Sequence, residues 1–361
     1  MTGREQAGGL RLENVSKTFS GTKALHGFTL EFRPGAINTL LGPSGCGKTT
    51  ALRICAGFLE ADGGRVLLDG REQAGRPPFR RDIAMVFQDF ALFPHLNVEQ
   101  NVGYGLRFRR LSPAERRERT GSLLEFLQLD RLAGRLPHEL SGGQQQRVAL
   151  GRALAVRPRV LLMDEPFSNL DTRLRAHVRG ELRAIQQELG VTTVFVTHDH
   201  AEALSLSDFV AVMRAGRLLQ AGEPRELYLR PQSRFVADAL GEANFLPVSA
   251  VQPAGNGQLS VTVAGRKLLL SRPAGGVPDE PLLLVRPAGF TLGLRAADDT
   301  FTGTLLRREY QGAREQLFLS VPDLPAPLQV EVPAGQPLPE EGGELHVGLA
   351  PDAGVLVAGV S

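Results

Sequence analysis

Apolar and polar positions follow two different patterns along the chain. From residue 10 to about 240, short apolar runs end in polar residues: INTLLG (37 to 42), DIAMVFQ (82 to 88), RVLLMDE (159 to 165) and VTTVFVTH (191 to 198). Runs without polar alternation fit strands buried on both faces, and their spacing leaves room for crossover helices. The pattern predicts a parallel α/β sheet with ligands gathered at the carboxyl ends of its strands. Between Phe108 and Arg157 it changes to charged amphipathic helices, with RLSPAERRERTGSLLEFLQL opening at a Ser-Pro start, which predicts a helical insertion over about 90 to 157. The last 121 residues hold 13 of the 24 prolines and short alternating segments: QLSVTV, EPLLLVRP, EQLFLSV, LQVEV and ELHVGL. Punctuated by Gly and Pro, these predict a small β domain. The helical reading of PQSRFVADAL ends at Gly241, so the boundary is expected between Gly241 and Pro247, giving an α/β domain over 9–240 and a β-rich domain over 243–361.

A length of 361 residues accommodates two such domains. With 41 basic and 39 acidic residues, the net charge of +2 gives no reason to expect nucleic acid or an acidic membrane as the main partner. Only Lys17, Lys23, Lys48 and Lys267 are lysines; the other basic residues are arginines. Cys46 and Cys55 are nine residues apart. On one helix, a rise of about 1.5 Å per residue separates them beyond the roughly 7 Å reach of a disulfide, which points to a reducing compartment. The start, MTGREQAGG, has no apolar core, and no run approaches the roughly 18 apolar residues of a spanning helix, so a soluble, cytoplasmic chain is expected.

GPSGCGKT at 42 to 49 matches G-x-x-x-x-G-K-[ST], with an apolar strand before it and the helix-prone TTALRICAGF after it. Such glycines let backbone N–H groups curl around phosphate oxygens at a helix N-terminus, where the dipole favours anions. In that reading Gly42, Pro43, Ser44, Gly45, Cys46, Gly47, Lys48, Thr49 and Thr50 line the cradle. Lys48 contacts the β and γ phosphates and Thr49 ligates Mg²⁺. A lysine in an arginine-rich chain suits a slot for a compact point charge. The same text also fits an ordinary glycine-rich turn. Cys46 reads as a small residue without a neighbouring base, its thiol open to alkylation when the loop is empty. Asp164 ends an apolar run, where a carboxylate can hold Mg²⁺, and Glu165 follows, able to polarise an attacking water. In isolation the pair also fits a solvated strand cap. LSGGQQQR at 140 to 147 places Ser141, Gly142, Gly143 and Gln144 at a second helix N-terminus, which can equally be a plain cap.

GPSGCGKT, Gln88, LSGGQQQR, LLMDEP, SNLD (168 to 171) and His198, in that order and spacing, resemble the ATPase subunit of ATP-binding-cassette (ABC) transporters over residues 10 to about 240. The resemblance implies a phosphate-loop α/β cassette that binds ATP and Mg²⁺ and works as a homodimer. In such a dimer the Ser141 helix of one chain covers ATP held by the other. It implies that Gln88 meets Mg²⁺ or the attacking water, that Asp171 links the two sites, that His198 lies near the γ-phosphate, and that Phe19 stacks on adenine. Phe87, Phe90, Phe93 and Tyr104 fit either a core or, as the resemblance implies, a groove for a helix of the membrane partner.

The tail segment LLLVRPAGFTL resembles the Arg-Pro-Glu stretch of the oligonucleotide-fold-like regulatory domain of importer ATPases, with Ala288 in place of Glu. CAGF, RLPHELSGGQQQRVALGRAL and GEANFLP are most similar to ferric-iron importer subunits, with polyamine importers second and sugar, sulfate and phosphonate importers further alternatives. The expected function is therefore ATP-driven import at the cytoplasmic face of the membrane. The expected partners are two transmembrane permease subunits and, through them, an extracytoplasmic solute-binding protein, with no nucleic acid. A soluble cassette acting on ribosomes or DNA is the competing class. It usually carries two cassettes per chain, and this chain has one. Intact Lys48, Asp164 and Glu165 speak against a regulatory module without turnover. The remaining histidines, His26, His95, His138, His177, His200 and His346, lack ligand-like spacing, so no metal beyond Mg²⁺ is expected.

Overall fold

The structure, a computed structural model, describes residues 8–168, 172–255, 257–273, 276–293 and 299–359. It divides into two compact units, Met1–Pro224 and Arg225–Ser361.

The first unit contains strands β1 (Leu10–Phe19), β2 (Thr22–Glu31), β3 (Ile37–Leu41), β4 (Gly63–Leu68), β5 (Arg71–Glu72), β6 (Ile83–Val86), β7 (Val160–Asp164), β8 (Thr192–Thr197), β9 (Phe209–Arg214) and β10 (Arg217–Gly222). Its helices are α1 (Lys48–Ala56), α2 (Val98–Gly103), α3 (Pro113–Phe126), α4 (Gly142–Ala155), α5 (Thr172–Leu189) and α6 (His200–Leu206). The four expected apolar runs are β3, β6, β7 and β8. They join β9 and β10 in a six-stranded sheet ordered β10-β9-β3-β8-β7-β6, parallel except for the β9/β10 pair. All five residues of β7 and all six of β8 are buried, which is why these strands read as continuous apolar text. On one face Leu161, Met163 and Phe195 pack with Val98, Val148 and Leu154 of the insertion. On the other, Val160, Leu162, Val194 and Val196 pack with α1 and with Leu12 and Phe28 of a four-stranded antiparallel sheet, β2-β1-β4-β5.

Helix α3 starts at the Ser-Pro read from the sequence. Ser112 caps α3, accepting from Glu115 N at 3.2 Å while the Glu115 carboxylate accepts from Ser112 N at 2.6 Å, with Pro113 in the first turn. Helix α1 ends at Gly57, whose φ of 82° suits glycine. Arg81, just before β6, donates to the Ile54 and Cys55 carbonyls at 2.8 and 3.1 Å, and a Cβ on Gly57 would lie 2.4 Å from its Nε. The end of α1 is thereby tied to the start of the edge strand β6.

The second unit starts with the helix α7 (Pro224–Leu229), which spans the division, and α8 (Arg234–Ala239). Its strands are β11 (Asn244–Pro247), β12 (Ala250–Gly255), β13 (Gln258–Val263), β14 (Arg266–Ser271), β15 (Pro281–Val285), β16 (Phe290–Gly293), β17 (Thr300–Tyr310), β18 (Arg314–Ser320), β19 (Leu328–Pro333), β20 (Glu344–Leu349) and β21 (Gly354–Ala358). They form three antiparallel sheets around Val261, Leu283, Phe301, Leu317 and Val347. The division at Pro224 lies upstream of the boundary expected between Gly241 and Pro247. Ala237 of α8 is fully buried against Leu284 and Val357 of the β unit, and Arg286 Nη1 donates to the carbonyls of Ala237, Gly241 and Glu242. Amphipathicity reveals these helices but not which core they cover. A chain ending at Pro224 is therefore expected to unfold in one cooperative transition. One ending at Leu240 exposes the apolar face of α8 and should be less soluble, which denaturant melts and sedimentation of the two truncations would measure.

Candidate functional site

Inter-strand register levels the carboxyl end of the sheet. Leu41 of β3 pairs with Thr197 of β8, Val196 of β8 with Asp164 of β7, and Met163 of β7 with Val86 of β6. The loop 42 to 47, His198, Glu165 and Gln88 consequently leave the sheet from neighbouring strand ends. At Gly42 a Cβ would meet the Met213 carbonyl at 2.3 Å. At Gly47, whose φ is 105°, it would meet the Ala24 carbonyl at 2.5 Å. Only glycine lets this loop lie so close to β9 and β2. Lys48 is 4% exposed and its Nζ donates to the Gly42 and Pro43 carbonyls at 2.6 and 2.9 Å, so the ammonium sits inside the curl of the loop.

Thr49 Oγ1 donates to Asp164 Oδ1 at 2.8 Å, joining the first turn of α1 to the end of β7. Burial raises the pKa of Asp164, opposed by the Thr49 hydrogen bond and by Arg53. The next residue, Glu165, has a φ of 43°, a strained left-handed backbone for a side chain of its size. Ser168 holds it there, its N and Oγ both donating to the Glu165 carbonyl at 3.2 and 3.0 Å. The Glu165 carboxylate then lies 3.5 Å from His198 Nδ1. A carboxylate, an imidazole beside it, and a hydroxyl–carboxylate pair of hard oxygens thus meet at the ends of neighbouring strands.

Gln88 is exposed just beyond β6. Phe19 is 45% exposed at the end of β1, with Lys17 Nζ 5.7 Å from its ring centre, so it is available to a planar ligand and is not core. Ser141 caps α4 in a capping box: its N donates to Gln144 Oε1 at 3.0 Å and its Oγ accepts from Gln144 N at 3.4 Å. The plain-cap reading of this text is therefore met. Helix α4 packs on α2, α3 and β6, whereas the loop 42 to 47 joins β3 to α1. Asp171 lies outside the described residues.

Residues 25–168 match the ABC transporter family, and residues 283–357 match the TOBE domain. The Fe(3+) ions import ATP-binding protein FbpC of Agrobacterium fabrum is 46% identical over 305 residues, 84% of this chain and 86% of the relative. The chain belongs to the ABC transporter family. It is an ABC import ATPase, coupling ATP hydrolysis to transport. The spermidine/putrescine import ATP-binding protein PotA of Methylococcus capsulatus is 48% identical over 300 residues, 82% of this chain and 78% of its own length. The solved structure of cbiO1 from Clostridium perfringens, part of the ABC transporter complex cbiONQ, superposes with a TM-score of 0.57 at 32% identity, over 61% of this chain and 90% of that one. An ATP-binding cassette solved as a dimer in a post-hydrolysis state with ADP and Pi gives 0.54 at 33%, over 60% and 99%. No helix among the described residues is long and apolar enough to cross a membrane.

Sequence reasoning missed the group of residues that positions His198 in this ABC ATPase. Asp199 caps α6, accepting from Ala201 N and Glu202 N at 2.8 and 3.2 Å, while its own N donates to Thr197 Oγ1 at 3.0 Å. Thr197 Oγ1 in turn donates to the buried Glu202 at 2.6 Å. The D-x-x-E spacing of residues 199 to 202 carried the signal of a helix start. The aromatics split: Phe90 is core at 4% exposure and Phe93 stacks on Tyr104 at 4.3 Å, while Phe79 and Phe108, not singled out from sequence, are 76% and 74% exposed. These two border a cavity of about 460 Å³.

Cys46 corrects the expectation of an open thiol. The loop turns its side chain inward to 4% exposure, and burial raises its pKa, only partly offset by Lys48. Alkylation of Cys46 in the native protein at pH 7.5, a pH of about physiological value, is expected to be at least about tenfold slower than in urea and no faster without ATP than with it. Peptide mass spectrometry after a timed pulse of iodoacetamide measures both rates.

Proposed function

We propose that ATP lies along the levelled strand ends, with Phe19 against the adenine and the backbone N–H groups of Gly45 to Thr50 around the phosphates. Lys48 carries the charge between the β and γ phosphates. The Thr49 hydroxyl and Asp164 carboxylate suit Mg²⁺, which takes hard oxygen ligands in small number and keeps several waters. Bound there, Mg²⁺ neutralises charge on the phosphate oxygens. Glu165 takes the proton of the attacking water, His198 steadies the γ-phosphate side, and Gln88 orients the water or the metal. The observation that carries this reading is the 2.8 Å bond between Thr49 Oγ1 and Asp164 Oδ1, with Glu165 held next in line.

In this reading the Ser141 helix end, with Gly142, Gly143 and Gln144, serves ATP bound by a second copy, and Asp171 links the two sites. The packing of α4 on α2, α3 and β6 supports a homodimer in this reading, as does the dimeric cassette that aligns with 60% of this chain. The dimer works on the cytoplasmic face of the membrane on two permease subunits, served by an extracytoplasmic solute-binding protein. The exposed Phe79 and Phe108 offer apolar surface beside the insertion. The TOBE unit is regulatory. Glu165→Gln is expected to lower turnover about 10² to 10⁴-fold, roughly 3 to 5 kcal/mol of barrier, with ATP affinity kept and a dimer trapped by ATP. Steady-state hydrolysis and light scattering with ATP measure this, and unchanged turnover removes Glu165 from the role.

The solute we assign is ferric iron, supported by the FbpC relative's 86% coverage of its own length and by CAGF and GEANFLP in this chain. A polyamine is the second reading, favoured by the 48% identity to PotA. A strain lacking this gene is expected to lose uptake of radiolabelled ferric iron and keep that of spermidine. The reverse result selects the polyamine.

A further inference from the structure

The turn that follows Gln88 contains two successive non-glycine residues in the left-handed region, Phe90 with φ 59° and Ala91 with φ 44°. Such backbone is sparsely populated and persists only where its surroundings hold it. Two side chains from the insertion do so. Asn101 of α2, fully buried, donates to the Phe93, Leu96 and Asn97 carbonyls at 3.1, 2.8 and 3.1 Å and accepts from Phe93 N at 2.9 Å, fixing the exit of the turn. Arg152 of α4 reaches its middle: Nη1 donates to the Ala91 carbonyl at 2.7 Å and Nη2 to the Phe90 carbonyl at 2.8 Å. Its guanidinium lies 5.3 Å from the Phe93 ring centre and near the Asp89 charge. A planar fork bonds both strained carbonyls at once, which a lysine ammonium on a flexible stem does not reproduce.

Arg152 stands eleven residues after Ser141, on the same helix, about three turns and about 16 Å along its axis. We propose that Arg152 is a positioning residue for hydrolysis: it fastens the left-handed turn behind Gln88 to the helix whose N-terminus is Ser141, so that the two ends of the site move as one body. This rests on the reading that Gln88 and Ser141 serve ATP hydrolysis. Arg152 acts by holding Gln88 in register with α4.

The test uses the full chain, with kcat and KM for ATP measured beside thermal melts. Arg152→Met is expected to lower kcat at least tenfold while KM stays within twofold, because Lys48, Thr49 and Asp164 sit on other elements. Arg152→Lys should remain at least threefold below the parent in kcat. Adding Ala91→Gly to Arg152→Met should return at least threefold of the lost kcat, since glycine takes the left-handed conformation without a side-chain penalty. Parental kcat in Arg152→Met overturns the proposal, as does loss of kcat and affinity together with a lowered melting temperature, which marks a role in folding alone. If Arg152→Met does not fold, Arg152→Lys decides, parental kcat again overturning it. Glu165→Gln separates the two levels. If that variant still turns over ATP, the hydrolytic reading fails; if it is inactive while Arg152→Met is unimpaired, the assignment of Arg152 alone fails.

Discussion

The parallel register of β3, β8, β7 and β6 is the constraint from which the site follows. Strands β3, β7 and β8 are buried along their whole length, and a shift of one residue would carry every one of their side chains to the opposite face. The pairs Leu41 with Thr197, Val196 with Asp164 and Met163 with Val86 therefore set the heights of the phosphate loop, His198, Glu165 and Gln88 together. Apolar packing at Leu161, Met163 and Phe195 on one face and Val160, Leu162 and Val196 on the other positions polar groups that have no packing role themselves.

At that edge the chain accepts local costs. Lys48 and Asp164 are buried, Glu165 is held in a left-handed backbone, and Gly42 and Gly47 allow approaches that any Cβ would forbid. Each would be unfavourable alone. A neighbour compensates in each case: loop carbonyls for Lys48, the Thr49 hydroxyl for Asp164, Ser168 for the Glu165 turn. Because the folded pKa of Asp164 is raised by burial, its ionised form opposes folding. The contribution of this group to stability falls as pH rises through the raised value.

Arginines join neighbouring elements of the first unit at three places. Arg147 pairs with Glu181 of α5, Arg152 spans to the turn behind Gln88, and Arg81 joins the end of α1 to the start of β6. Guanidinium groups suit this work because a planar fork meets two carbonyl or carboxylate oxygens in a fixed geometry. The abundance of arginine over lysine in this chain is consistent with such use, and Lys48 stands where a point charge serves better.

The motifs on which the proposed site rests are local patterns of the sequence. GPSGCGKT, the DE pair after an apolar run, and LSGGQQQR announce themselves because a strand buried on both faces and a helix N-terminus are local patterns with local composition. The strand ends, the start of α3 at Ser112 and the end of α8 near Gly241 were legible for the same reason. What the sequence could not state depends on non-local contact. The strand order β3-β8-β7-β6 brings His198 to Glu165 across residues far apart in the chain. Cys46 faces inward because the loop curls over Met213, and α8 belongs with the β unit because Leu284 and Val357 cover it. Periodicity shows that a face is apolar. Only the folded chain decides what that face meets, since the partner is selected by packing and register over the whole unit.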